Sequence, residues 1–140
     1  MSIWHTPPTL ETLQTLLNND AAGHLGLEFT EVGKDFLRAK LPVNERTTQA
    51  FGLLNGGVSC VVSESMGSVG ANFCVDQETH YCVGVDINAS HLRSVRSGFV
   101  YAETRALRIG RRAHFWETRL SDEHGNLVCV SRLTTAVVER

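Results

Sequence analysis

One stretch limits what this chain can fold into more than any other. Residues 56–73, GGVSCVVSESMGSVGANF, contain no proline and carry a single charge, and the text beyond them on either side alternates apolar and polar residues. On a helix of 3.6 residues per turn, Val58, Val61, Val62, Ser65, Met66, Val69 and Phe73 share one side, a stripe suited to packing on a sheet. Nearly opposite lie Gly57, Cys60, Glu64, Gly67, Ser68 and Ala71, all small except Glu64. A solvated face would carry Lys, Glu and Arg. This second face is therefore expected to pack on a partner and to leave Glu64 at least partly buried. Glu is seldom buried, and carboxylates that are buried cluster at functional sites.

The remaining text supplies the sheet. TLETLQTLLNN (9–19) places Leu10, Leu13, Leu16 and Leu17 at helical spacing behind Thr9, which predicts a short amphipathic helix capped by that threonine. From Leu25 to Val43, LGLEFTEV and DFLRAKLPV alternate about Gly33-Lys34 and predict two antiparallel strands. NERTTQAFGLLN (44–55) fits neither period and reads as a loop. HYCVGVDINASHL, GFVYAETRALRIG, RAHFWETRLSD and NLVCVSRLTTAVVE predict four more strands, parted by turns at Ser97-Gly98, Gly110 and His124-Gly125-Asn126. The expected class is α+β: one domain over residues 1–140, with an antiparallel sheet of five or six strands and one major helix on its face.

Several functions are disfavoured. Net charge is -2, from 13 basic and 15 acidic residues, and no basic run exceeds Arg111-Arg112, so no nucleic-acid partner is expected. No apolar stretch has the length to cross a bilayer, so no membrane partner is expected either. The opening MSIWHTPPTLETL has no cationic and apolar leader pattern, which points to a cytoplasmic protein. Cys60, Cys74, Cys82 and Cys129 form no C-x-x-C pair and read as buried thiols. The histidines lack metal-ligand spacing, so no metal is expected.

Gly56 and Gly57 stand where the long helix starts. The first helical N–H groups lack internal partners and lie at the positive end of the macrodipole, which suits an oxyanion or a polarised carbonyl. Gly-Gly also simply permits a sharp entry to a helix. Gly56 and Glu64, eight residues apart, stand about 12 Å apart along the axis, too far to reach one small reacting group. If both serve one site, a second copy of the chain supplies one of them, which implies a symmetric dimer with two sites at its interface.

QAFGLLNGGVSCVVSESMGS (49–68) followed by VGVDINASHLRSV (83–95) resembles the hotdog-fold thioesterases of the phenylacetate and 4-hydroxybenzoyl-CoA type. Within that group it is most similar to bacterial enzymes that hydrolyse aromatic acyl-CoA or proofread aryl-carrier proteins. The resemblance covers nearly the whole chain and implies a sheet wrapped around a central helix, with no cofactor. It also implies a homodimer with active sites between subunits, assembling as a homotetramer. The implied substrate is an acyl-CoA or acyl-carrier-protein thioester, with an aromatic acyl group. By the same resemblance Glu64 is the catalytic carboxylate, as general base or nucleophile, and the Gly56 N–H of the opposite subunit polarises the carbonyl. Gln49 would orient the substrate, Ser68 hold the attacking water, and His91 lie near the acyl pocket. Arg93, Arg108 and Arg111 are candidates for the CoA phosphates, although arginines on strands are commonly only solvated. Asn55 departs from the family's L-H-G-G. Its amide can donate a hydrogen bond but cannot shuttle a proton, so turnover is expected to be weakened. Ala50, where relatives often carry Pro, is the second departure. Two alternatives stay open at this point, a non-hydrolytic acyl-CoA-binding protein and a hotdog hydratase or dehydratase.

Overall fold

The structure, a computed structural model, describes residues 1–140. Thr9 opens the first helix, α1 (Leu10–Leu17), its Oγ1 accepting from the Thr12 N–H at 3.1 Å. A one-turn helix, α2 (Ala21–His24), follows behind Asp20, whose Oδ2 accepts from the Ala22 N–H at 2.9 Å. The pattern reading began a strand at Leu25. The strand starts only at Glu28, because α2 and a turn at Gly26, with φ 97°, use the intervening residues.

The strands are β1 (Glu28–Val32), β2 (Phe36–Pro42), β3 (His80–His91), β4 (Phe99–Ile109), β5 (Ala113–Ser121) and β6 (Leu127–Glu139). They form one antiparallel sheet in the order β1-β2-β4-β5-β6-β3, crossed by the helix α3 (Gly56–Phe73). This is the hotdog arrangement expected from the sequence. Its two edges differ. β1 is short, kinked by a bulge between Phe29 and Glu31, and closed by Gln14 of α1, whose Oε1 accepts from the Phe29 N–H. β3 is 12 residues long and pairs only with β6, so its outer edge is free.

The core lies between α3 and the inner face of the sheet, where Leu37, Leu41, Val100, Trp116, Leu120 and Leu133 are fully buried. Here one expectation is corrected. Gly67 and Ala71, assigned to a face turned towards a partner, are buried in the same chain, together with Gly70. A Cβ on Gly67 would come within 2.7 Å of Leu133 Cδ2, and one on Gly70 within 2.9 Å of the Trp116 indole. The bulk of Leu133 and Trp116 requires small residues opposite, so the helix turns Gly67 and Gly70 inward. Val62, Met66 and Phe73 share that buried side, while Val58, Val61, Ser65 and Val69 are only half-buried. Cys60, Glu64 and Ser68 are left along the flank, half-exposed.

Candidate active site

The loop before α3 is tied down residue by residue. Buried Thr47 donates from Oγ1 to Pro42 O and accepts from the Asn44 N–H, while the Asn55 N–H donates to Thr47 O at 2.9 Å. Leu54 N–H reaches Val95 O at 2.8 Å. Asn55 thereby becomes the cap of α3. Its Oδ1 accepts from the Gly57 N–H at 2.7 Å and the Val58 N–H at 3.3 Å. The Val58 and Ser59 N–H groups also meet Asn55 O. Of the groups at the helix start, only the Gly56 N–H has no partner in the chain.

Gln49 is held in the same manner, with Oε1 accepting from the Phe51 N–H at 2.6 Å and the Leu53 N–H at 3.3 Å. Because backbone N–H groups occupy both amide oxygens, the orientation of each amide follows from its partners. What remains free is the NH₂ of Gln49 and the NH₂ of Asn55. The rim therefore offers hydrogen-bond donors: two amide NH₂ groups and the Gly56 N–H. The His91 ring lies across Gly56, its Nε2 2.9 Å from where a Cβ would stand. A larger residue at 56 would collide with it. Gln49, Gly56, Ser59, His91 and Arg93 line a cavity of about 360 Å³ at this end of α3.

Glu64 lies elsewhere on the helix. It is half-buried and makes no hydrogen bond or ion pair within the chain, and its carboxylate rests on the backbone of Gly84 in β3. Asn72 clips the two elements together. It donates from Nδ2 to Ser68 O and Cys82 O, and accepts at Oδ1 from the Cys82 N–H at 2.8 Å. Ser68, one turn past Glu64, faces a groove of about 750 Å³ between α1 and the last turns of α3. Arg108 and Arg111 line a third hollow, of about 340 Å³, at the β4–β5 hairpin with Arg112. The candidates thus divide among three places. Gln49, Asn55, Gly56, His91 and Arg93 gather at the helix start, Glu64 and Ser68 occupy its middle, and Arg108 and Arg111 stand at the hairpin.

Sequence reasoning overlooked Gly84 and Asn72. An isolated glycine in a strand pattern, V-G-V, was the available signal for the first. Asn72 had none, since its partners depend on how β3 crosses α3. Burial pushes the half-buried Cys74 thiol up to about 12 and the buried Cys129 thiol up to about 11, so neither offers a ready thiolate. No helix is long and apolar enough to cross a membrane.

Residues 51–129 match the model of the thioesterase superfamily. The chain is similar to a 1,4-dihydroxy-2-naphthoyl-CoA hydrolase of Escherichia coli, with 43% identity over 97% of this chain and 99% of that protein. It is 41% identical to the proofreading thioesterase EntH of Cronobacter turicensis, over 97% of this chain and 98% of the relative. Among solved structures, a mutant thioesterase of Pseudomonas aeruginosa superposes with a TM-score of 0.96 at 45% identity, covering 99% of this chain and 100% of that one.

Proposed function

The chain belongs to the thioesterase superfamily and is a thioester hydrolase, and we propose that it opens aromatic acyl thioesters between the Gly56 N–H of one protomer and Glu64 of its partner. The observation that carries this reading is the rim of donors at the start of α3. The carbonyl oxygen of a thioester gains negative charge as the carbon becomes tetrahedral, and preorganised donors stabilise that charge. Gly56 supplies the one unpaired N–H in the first turn of α3, and Asn55 and Gln49 carry unpartnered NH₂ groups near it. Glu64 either takes a proton from the water that attacks the carbonyl carbon, or attacks that carbon itself to give an anhydride that water then opens. In either route the C–S bond breaks, water supplies the oxygen of the released acid, and the proton it gives up ends on the departing thiolate. Ser68 would hold the water, His91 would border the acyl group, and Arg93, Arg108 and Arg111 would meet the phosphates of CoA. The acyl carrier is CoA or a carrier protein.

The partner protomer has a place to bind. The free edge of β3 exposes Val83 and Val85, and long unprotected edges pair readily. Gly84, under Glu64, and His91, beside Gly56, lie on this one strand. An antiparallel pairing of two copies of β3 about Ile87–Asn88, midway between them, would set Gly84 of one chain opposite His91 of the other. A two-fold axis there would bring Glu64 towards the partner subunit's Gly56. We extend this to a homotetramer of two such dimers, in the cytoplasm, where four unpaired cysteines suit a reducing medium.

The test is thiol release from benzoyl-CoA and from aliphatic acyl-CoAs, with hydration of crotonyl-CoA measured in parallel and native mass recorded. Faster release from the aryl thioester by an oligomer, without hydration, is expected. Hydration without thiol release, or activity in a monomer, would overturn the reading.

A further inference from the structure

Gly84 does not owe its identity to backbone conformation. The glycines with positive φ are Gly26, Gly52, Gly98 and Gly125, and Gly84 is not among them. It sits in β3 beside an irregularity: Gly84 opposes Thr135 and Asp86 opposes Thr134, so Val85 is an extra residue that kinks the strand. A Cβ at position 84 would lie 2.5 Å from Glu64 Oε2, and 3.4 Å from both Glu64 Cδ and Leu133 Cδ1. The carboxylate thus occupies the volume that any side chain would need. No hydrogen bond within the protomer fixes Oε2, and the bare backbone of Gly84 is what leaves room for it there. The supporting surface is itself held, since Asn72 ties Cys82, two residues earlier, to the last turns of α3.

We infer that Gly84 is a positioning residue: its bare backbone is the seat on which the Glu64 carboxylate is aimed across the subunit interface. This rests on the reading of Glu64 as the hydrolytic carboxylate. Placing a methyl group at 84 leaves the backbone undisturbed but drives Oε2 away by about 1 Å, the gap between 2.5 Å and an ordinary 3.4 Å contact. A displacement of that size at a reacting group costs on the order of 10²-fold in rate.

The experiment compares Gly84→Ala, Gly84→Ser, Glu64→Gln and the double variant Gly84→Ala/Glu64→Gln in the full chain. Rate, KM for benzoyl-CoA and thermal midpoint are read for each. Gly84→Ala should lower kcat about 10²-fold, leave KM little changed, and keep or raise the midpoint, because alanine restricts the unfolded chain. Gly84→Ser should behave alike. In the Glu64→Gln background Gly84→Ala should cost nothing further, since its effect runs through a carboxylate already removed. Parental kcat in Gly84→Ala, an added loss in the double variant, or a lowered midpoint would each overturn the inference. If Glu64→Gln alone keeps the parental rate, the reading of Glu64 fails first and this one with it.

Discussion

At its first turn α3 is wired to its own chain through Asn55, Gln49 and Thr47, whereas two turns later Glu64 makes no hydrogen bond or ion pair and rests on a glycine. The first station is tied within one protomer: the side-chain oxygens are consumed internally and N–H groups are left without partners. The second is incomplete, a half-buried carboxylate on the flank of a helix beside an unpaired strand edge. The contrast is between a helix start whose side-chain oxygens are satisfied within the chain and a carboxylate left without a bond, which is the division that the proposed two-protomer site requires.

The comparison breaks most visibly at Glu64. Glu64→Ala should lower kcat for thiol release by about 10²–10⁴, with the circular-dichroism spectrum and thermal midpoint kept, since the side chain bonds to nothing in its own protomer. At the other station Gly56→Pro deletes the unpaired N–H outright. Proline is tolerated at a first helical position, and Asn55, at ψ 128°, already has the backbone a following proline requires. The His91 ring must swing aside, and the rate should fall about 10²–10³-fold. If the stations belong to different protomers, mixing these two inactive variants should restore about a quarter of the parental rate, because half the dimers are mixed and each carries one intact site. No recovery after dissociation and re-association would place both groups in one chain.

Asn55 separates the structural from the chemical duty of the first station. Asn55→Asp keeps an oxygen for the Gly57 and Val58 N–H groups and should hold the thermal midpoint. It replaces the unpartnered NH₂ with an anion, so kcat should drop by about 10². Asn55→Ala should lose the rate and also about 1 kcal/mol of stability in denaturant unfolding. Away from both stations, Gly70→Ala forces a Cβ to 2.9 Å from the Trp116 indole. The expected loss is about 1–3 kcal/mol of stability, with little change in KM. The smallest effect concerns acid. Buried His114, its Nδ1 unpartnered, has its pKa pushed below the ordinary 6.5 by burial. The unfolded chain therefore takes up the proton first. The stability contributed by the neutral ring is whole above about 6.5 and falls as pH drops towards the depressed value. His114→Leu should flatten that slope in unfolding measured across the acid range.

Much of this was legible in the sequence. Period-two text gave six strands, Thr9 gave the first cap, and the glycine pair with one carboxylate eight residues on gave the two stations and their separation. What the sequence hid was direction. The helix shows two faces, but only Trp116 and Leu133, far along the chain, decide that Gly67 and Gly70 turn inward. Asn55 stood out only as a departure from the family's L-H-G-G, and its part as the cap of α3 needed the structure. Asp20 before Ala21-Ala22 was a cap signal too, and passing over it moved the start of β1. Gly84 looked like a weak spot in a strand until the neighbour occupying its missing side chain was known.

Trp4 stacks on Trp116 with ring centroids 6.4 Å apart and planes 14° from parallel, and the chain has no other tryptophan. Its intrinsic fluorescence is therefore a private signal of whether the amino-terminal segment is seated against the core. Peeling away those opening residues would separate the emitters and change the spectrum before the sheet itself gave way.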